Sequence, residues 1–285
     1  MTRSPLLPLA AAVLLLALPI AAHAQAARPM LPSGGPPPPP TWVLTVGIAP
    51  IVAPAWQGSR DTAFSVFPDL RVNYKDTAFL SVQEGLGWNA INQDGWKIGP
   101  IAKIRFGRRE STGGSPFLIT GGSTALRGFG DVRLAGEFGG FAQYSPNRRV
   151  TLRAEVRQGT GGHTGLVADT SARFSDQAGK FRYALGVRAT FADADYTQVY
   201  FGVSPLQGAR AGLAPFRTGS GLVSAGVAGS LIRPLGERGR LGAITLFTGY
   251  DRLADAAASS TLIRERGRRD QFSVGLAYGY RFTWN

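Results

Sequence analysis

The C-terminal segment alternates without a break. Phe272, Val274, Leu276, Tyr278, Tyr280, Phe282 and Trp284 are apolar or aromatic, and Ser273, Gly275, Ala277, Gly279, Arg281 and Thr283 stand between them. A strand repeats every two residues, so the two sets form opposite faces. One face is greasy and aromatic; the other is small or charged. That is wrong for a packed soluble core and right for a strand with lipid outside and a polar lumen inside. An aromatic residue close to the chain end is also typical of outer-membrane barrels, where this strand serves membrane assembly.

The opposite end of the sequence agrees. Arg3 supplies a short positive region, Leu6 to Ile20 is an apolar run, and Ala22-His23-Ala24 is a small-x-small cleavage site. This predicts a signal peptide over residues 1–24, cleaved on export, rather than a membrane helix. The sequence has no cysteine, so disulfides and a cysteine-linked lipid are excluded. A proline-rich leader follows over 25–41, with prolines filling positions 36–40. It is expected to be extended, either as a stiff periplasmic spacer or as a docking segment. Pro50 and Pro54 then break any helix in the long uncharged stretch that continues to Ser59. An exported chain of alternating strands without helical spans predicts a closed barrel, because only helices and closed barrels satisfy backbone polar groups in lipid.

The expected fold is all-β: a transmembrane antiparallel β-barrel over 42–285, in the outer membrane of a Gram-negative bacterium. Twelve strands are expected, near 42–50, 63–74, 77–88, 95–107, 130–144, 149–158, 164–175, 180–192, 197–204, 219–233, 240–252 and 270–284. Bacterial barrels use even strand numbers. Two features sit badly with this assignment. Glu84 falls on the apolar face of the third strand, which predicts a bulge near Gly85. With both termini periplasmic, 108–129 becomes a periplasmic turn of unusual length, unless strands hide near Phe117 to Thr120. Trp42, Trp88, Trp96 and Trp284 fall at strand ends, as in an aromatic girdle; Trp56 does not.

The formal charge of +13 would suit nucleic acid, but export argues against that partner. Outer-membrane lipid and lipopolysaccharide fit better. The alternation places Arg71, Lys97, Lys103, Arg105, Arg133, Arg153, Arg157, Arg173, Arg182, Arg188 and Arg281 in the lumen, with Asp69, Asp131, Glu137, Glu155 and Asp169. The candidate charge cluster is Arg133, Glu137, Arg153, Glu155, Arg157, Arg182 and Arg188. Paired, these charges would plug a narrow barrel, since buried charges need partners. Unpaired, the cationic excess would make an anion-preferring channel.

His163 is the one histidine after the signal peptide. With Asp169 behind it, it could serve a hydrolase or hold a metal. It lies in a glycine-rich turn placed on the periplasmic side, and no serine sits in a nucleophile-elbow context. No catalytic residue, cofactor or metal is assigned.

Several segments together resemble the MipA/OmpV family of outer-membrane proteins, which includes the MltA-interacting protein. They are Gly95-Trp96-Lys97-Ile98-Gly99-Pro100 leading into Arg105-Phe106-Gly107-Arg108, Leu126 to Asp131, Ala154 to Gly159 with Gly161-Gly162-His163, Tyr200-Phe201-Gly202-Val203-Ser204-Pro205, Gly221-Leu222, and Arg266-Gly267 before Gln271 to Gly275. The chain departs from the family in the Ser111 to Ser123 stretch and in extending beyond Phe282. The resemblance implies a non-enzymatic scaffold for peptidoglycan-remodelling enzymes at the cell envelope, with a lytic transglycosylase and a penicillin-binding protein as partners. An anion-preferring channel is the second reading, and a hydrolase centred on His163 the third.

Overall fold

The computed structural model describes residues 41–239 and 241–284. The expected signal peptide and residues 25–40 of the leader lie outside them. Most of the expected period-two segments become strands: β1 (Trp42–Pro54), β2 (Thr62–Tyr74), β3 (Ala78–Ser81), β4 (Gly85–Trp88), β5 (Ile91–Gln93), β6 (Trp96–Arg105), β7 (Leu118–Gly121), β8 (Ala135–Tyr144), β9 (Val150–Gly161), β10 (Leu166–Ala178), β11 (Phe181–Ala192), β12 (Gly221–Pro234), β13 (Ala243–Leu253) and β14 (Asp270–Trp284). Among the described residues, four short α-helices interrupt them: α1 (Ala194–Phe201), α2 (Pro205–Ala211), α3 (Asp255–Ala258) and α4 (Thr261–Arg266).

Neighbouring strands run antiparallel, and β1 pairs with both β2 and β14, so the sheet closes. Around the wall, β1, β2, β3, β4, β6 and β8 to β14 occupy twelve positions. β5 pairs with the first residues of β6, and β7 lies along the start of β2. Closure leaves no open edge in lipid, as a membrane barrel requires. The apolar set of β14 faces out, from Phe272 at 60% exposure to Trp284 at 46%. Leu185 (61%), Ile104 and Phe138 continue that band around the wall. The chain is an outer-membrane β-barrel.

Trp42 pairs with Trp284, so both ends of the barrel segment share one rim, here the terminal end. Turns there are short, as at 75–77, 145–149 and 179–180. The opposite, far end carries the long connections 106–134, 193–220 and 254–269. This is the usual asymmetry of periplasmic turns and extracellular loops. Trp42, Trp88, Trp96 and Trp284 all lie at the terminal end; Trp42 stacks on Trp284 at 6.5 Å, and Trp96 on Tyr144 at 4.6 Å.

The count of twelve holds through two compensating corrections. The segment 77–88 is a hairpin, with Leu80 opposite Leu86 and Ser81 opposite Gly85. Glu84 therefore sits in a turn, its N–H donating to Ser81 Oγ at 2.8 Å, and Gly85 takes φ +80°. No bulge is needed, because the strand reverses there. Conversely, 197–204 is no strand: it is most of α1 and the start of the next connection. The extra strand reverses β6, so the long connection after it lies at the far end, not the periplasmic one. It contains β7, in the region that offered a hidden strand as the alternative to a long periplasmic turn.

Candidate functional site

The lumen is lined by ion pairs from adjacent strands. β8 contributes Glu137, β9 contributes Arg153, Glu155 and Arg157, and β10 contributes Asp169; alternation turns each inward. Arg157 is 2% exposed and reaches carboxylates on all three strands. Its Nε donates to Glu137 at 2.9 Å, Nη1 to Glu155 at 2.5 Å, and Nη2 to Asp169. A planar guanidinium can serve three acceptors in this way, whereas an ammonium could not match the fork. Glu137 also accepts from Arg105, on β6, and from His163 Nε2 at 3.0 Å. Glu155 also meets Lys103 at 2.6 Å and Arg153 at 2.7 Å. Asp169 accepts from Thr190 Oγ1 at 2.6 Å. Burial of so many charges is tolerable because each carboxylate is met by cations.

Other pairs lie around this centre. Arg188 on β11 forks onto Asp251 on β13, and Arg71 meets Asp69 at 2.9 Å. Lys97 meets Asp76 at 2.6 Å by the terminal rim. The structure thus gathers Glu137, Arg153, Glu155 and Arg157 into one network and gives Arg188 a separate partner. Arg133 is not in the network: it precedes β8 and is exposed, because the strand starts later than the sequence suggested. Asp131 is exposed with it. Arg182 is half-buried near the start of β11, at the terminal end and away from this centre. Asp251 was missed, although its alternation with Tyr250 and Arg252 marks it as inward.

The far end is closed over by a cap built from the long connections. Trp56, Leu126, Phe129, Tyr196, Tyr200, Phe201, Val203, Leu213, Val223, Leu253, Leu262 and Ile263 are all buried in one apolar cluster. Helix signals in the sequence explain its local structure. Asp193 caps α1 by accepting from Tyr196 N, and Ser204 with Gln207 forms a capping box ahead of Pro205. Side chains then stitch the segments together. Arg266 donates to the carbonyls of Ala125 and Ala211, and Arg108 Nη1 to that of Tyr200 at 2.8 Å. Gln207 Nε2 donates to Phe129 O at 2.9 Å. Burial pushes the Tyr200 phenol up to about 12, so it stays neutral at physiological pH.

His163 joins cap to barrel. It lies at the far end, not the periplasmic side, because of the strand reversal described above. Its ring meets Tyr196 edge-on at 5.1 Å, and Gly159 leaves it room: a Cβ there would stand 2.2 Å from His163 Cε1. The carboxylate behind it is Glu137, not Asp169, which Arg157 occupies. Among the described residues, no hydroxyl hydrogen-bonds to His163, and its Nδ1 is buried without a partner. The arrangement suits a structural strut better than a nucleophile–base pair.

Beneath the cap, and lined in part by the network itself, lies a chamber of about 630 Å³ that reaches Thr151 and Arg153 on the terminal side of Arg157. Lys103, Arg105, Arg153, Arg157, Arg173 and Arg188 line it, with Glu137, Asp169 and Asp251. Trp56, Phe67, Phe106, Tyr196 and Phe247 supply aromatic surface. Towards the terminal end, Phe79, Ile101 and Phe141 form a small inward-facing apolar cluster, and the Arg153 guanidinium lies 4.3 Å from the Phe141 ring centre.

The profile of the family described as MltA-interacting protein MipA matches residues 46–282. No curated protein matches the chain. Among solved structures, an outer-membrane channel from Pseudomonas putida F1 is 11% identical, with a TM-score of 0.41, covering 89% of this chain and 100% of that one. OmpT of Vibrio cholerae is 6% identical, with a TM-score of 0.34, covering 84% and 96%.

Proposed function

The chain belongs to the MipA family, and on that premise we propose that it is a non-conducting barrel that holds peptidoglycan-remodelling enzymes at the outer membrane. One observation carries this reading: Arg157 is buried in the lumen among three carboxylates from three adjacent strands, beneath a cap with its own apolar core. An ion path needs water and lining charges free to exchange partners. Here the charges of the central network are engaged with one another, which favours the paired plug over the anion channel.

The docking face is the terminal end, which faces the periplasm and carries the proline-rich leader. The family description supports a lytic transglycosylase as partner. A penicillin-binding protein is a further proposed partner, resting on the resemblance alone. Two measurements test the proposal. In planar bilayers the purified protein should give no stepwise conductance; steady anion-selective steps would overturn the non-conducting reading. Pull-downs from solubilised envelopes should recover a lytic transglycosylase with the full mature chain and less of it when residues 25–40 are deleted. Recovery of no cell-wall enzyme by the full chain would overturn the scaffold.

A further inference from the structure

We propose that the chamber beneath the cap is a binding site for a small organic anion: a carboxylate head on an apolar, ring-sized body. Three observations point there. The first is charge. Six cationic side chains line the chamber against Glu137, Asp169 and Asp251; Glu155, behind Lys103 and Arg153, makes a fourth carboxylate, and the cationic excess survives. A cationic ligand would compete with arginines already seated on those carboxylates, whereas an anion meets complementary charge.

The second is an unused donor. The Arg153 side chain is 8% exposed; its Nε donates to Glu155 and Nη1 to Gln143, while Nη2 is buried without a partner. A buried guanidinium N–H without an acceptor is costly, and a carboxylate oxygen would satisfy it with a charge-assisted bond once Arg153, which packs 4.3 Å from the Phe141 ring centre, turns Nη2 into the chamber. The third is shape and surface. About 630 Å³ is a typical small-molecule site. It is too large for an inorganic oxyanion alone, and the rings of Trp56, Phe67, Phe106 and Phe247 offer apolar walls for the rest of the molecule.

The test uses the full mature chain, folded in detergent, with naphthoate and its uncharged analogue naphthamide as probes in titration calorimetry. Naphthoate should bind saturably, at least about tenfold tighter than naphthamide, a ratio expected from one charge-assisted pair. Arg153→Gln should remove most of that preference. Because Arg153 also holds Glu155, this variant can fail for lack of folding, so a second one is needed. Ala228 lines the chamber between Gly186 and Gly249 on the neighbouring strands and takes part in no ion pair. Ala228→Trp should fill the space and abolish naphthoate binding while the barrel remains folded. No saturable binding, equal affinity for the two probes, or full binding by folded Ala228→Trp would each overturn the proposal.

Discussion

The lumen and the cap solve the same problem with opposite chemistry. In the lumen, Glu137, Glu155 and Arg157 are buried, Asp169 is half-buried, and all four are held by charge. In the cap, Phe201, Leu253, Leu262 and Ile263 are buried and held by apolar contact and helix caps. The barrel spends its apolar side chains on lipid, so its interior has to be polar. The cap stands outside the membrane and surrounds its apolar residues as a soluble protein would. His163 and Arg105 join the two, since both touch Glu137 below and the Tyr196 ring above. Stability should therefore be divided: global in the lumen, local in the cap.

The largest effect expected from that division is in the lumen. Glu137→Gln removes the carboxylate that meets Arg105, Arg157 and His163, and should destabilise the whole barrel by about 3–5 kcal/mol. Denaturant titration in lipid measures this; a loss below about 1 kcal/mol would mean that water screens the network. A smaller and more local effect should follow Leu262→Ala. Truncating this fully buried side chain should cost about 2–5 kcal/mol, but mainly by opening the cap. Hydrogen exchange should speed up at the amides of α1 and α4 and stay slow in β9 and β10. Equal acceleration in both regions would show that cap and barrel unfold together. The smallest change is Ser204→Ala, which breaks the capping box of α2 and should cost about 1 kcal/mol. Faster exchange confined to α2 and its contact at Phe129 is the expected result, and exchange spreading to β8 would again erase the boundary.

Much of the wall was readable because its signals are local. The alternation in β14 gave facing, and the inward positions of Glu137, Arg153, Glu155 and Arg157 followed from counting by twos. Strand direction was harder. Glu84 on an apolar face was the visible sign that 77–88 turns back, yet a bulge accounts for the same misfit within a single strand. The helix signals at Asp193 and at Ser204-Pro205 with Gln207 were present but lay in a segment whose apolar residues also fit a strand. Arg133 was placed inward by extending alternation past the point where pairing begins.

The sequence by itself determined the barrel, the lipid-facing surface and the set of charges available to the lumen, because period two acts over neighbouring residues. The tertiary structure alone decided which charges meet, that one hairpin reverses the later strands, and that the far-end connections condense into an apolar cap. Those outcomes depend on residues such as Trp56, Tyr200 and Leu262, which are distant in the chain. Their contacts become favourable only once closure of the wall has brought the connections to the same end.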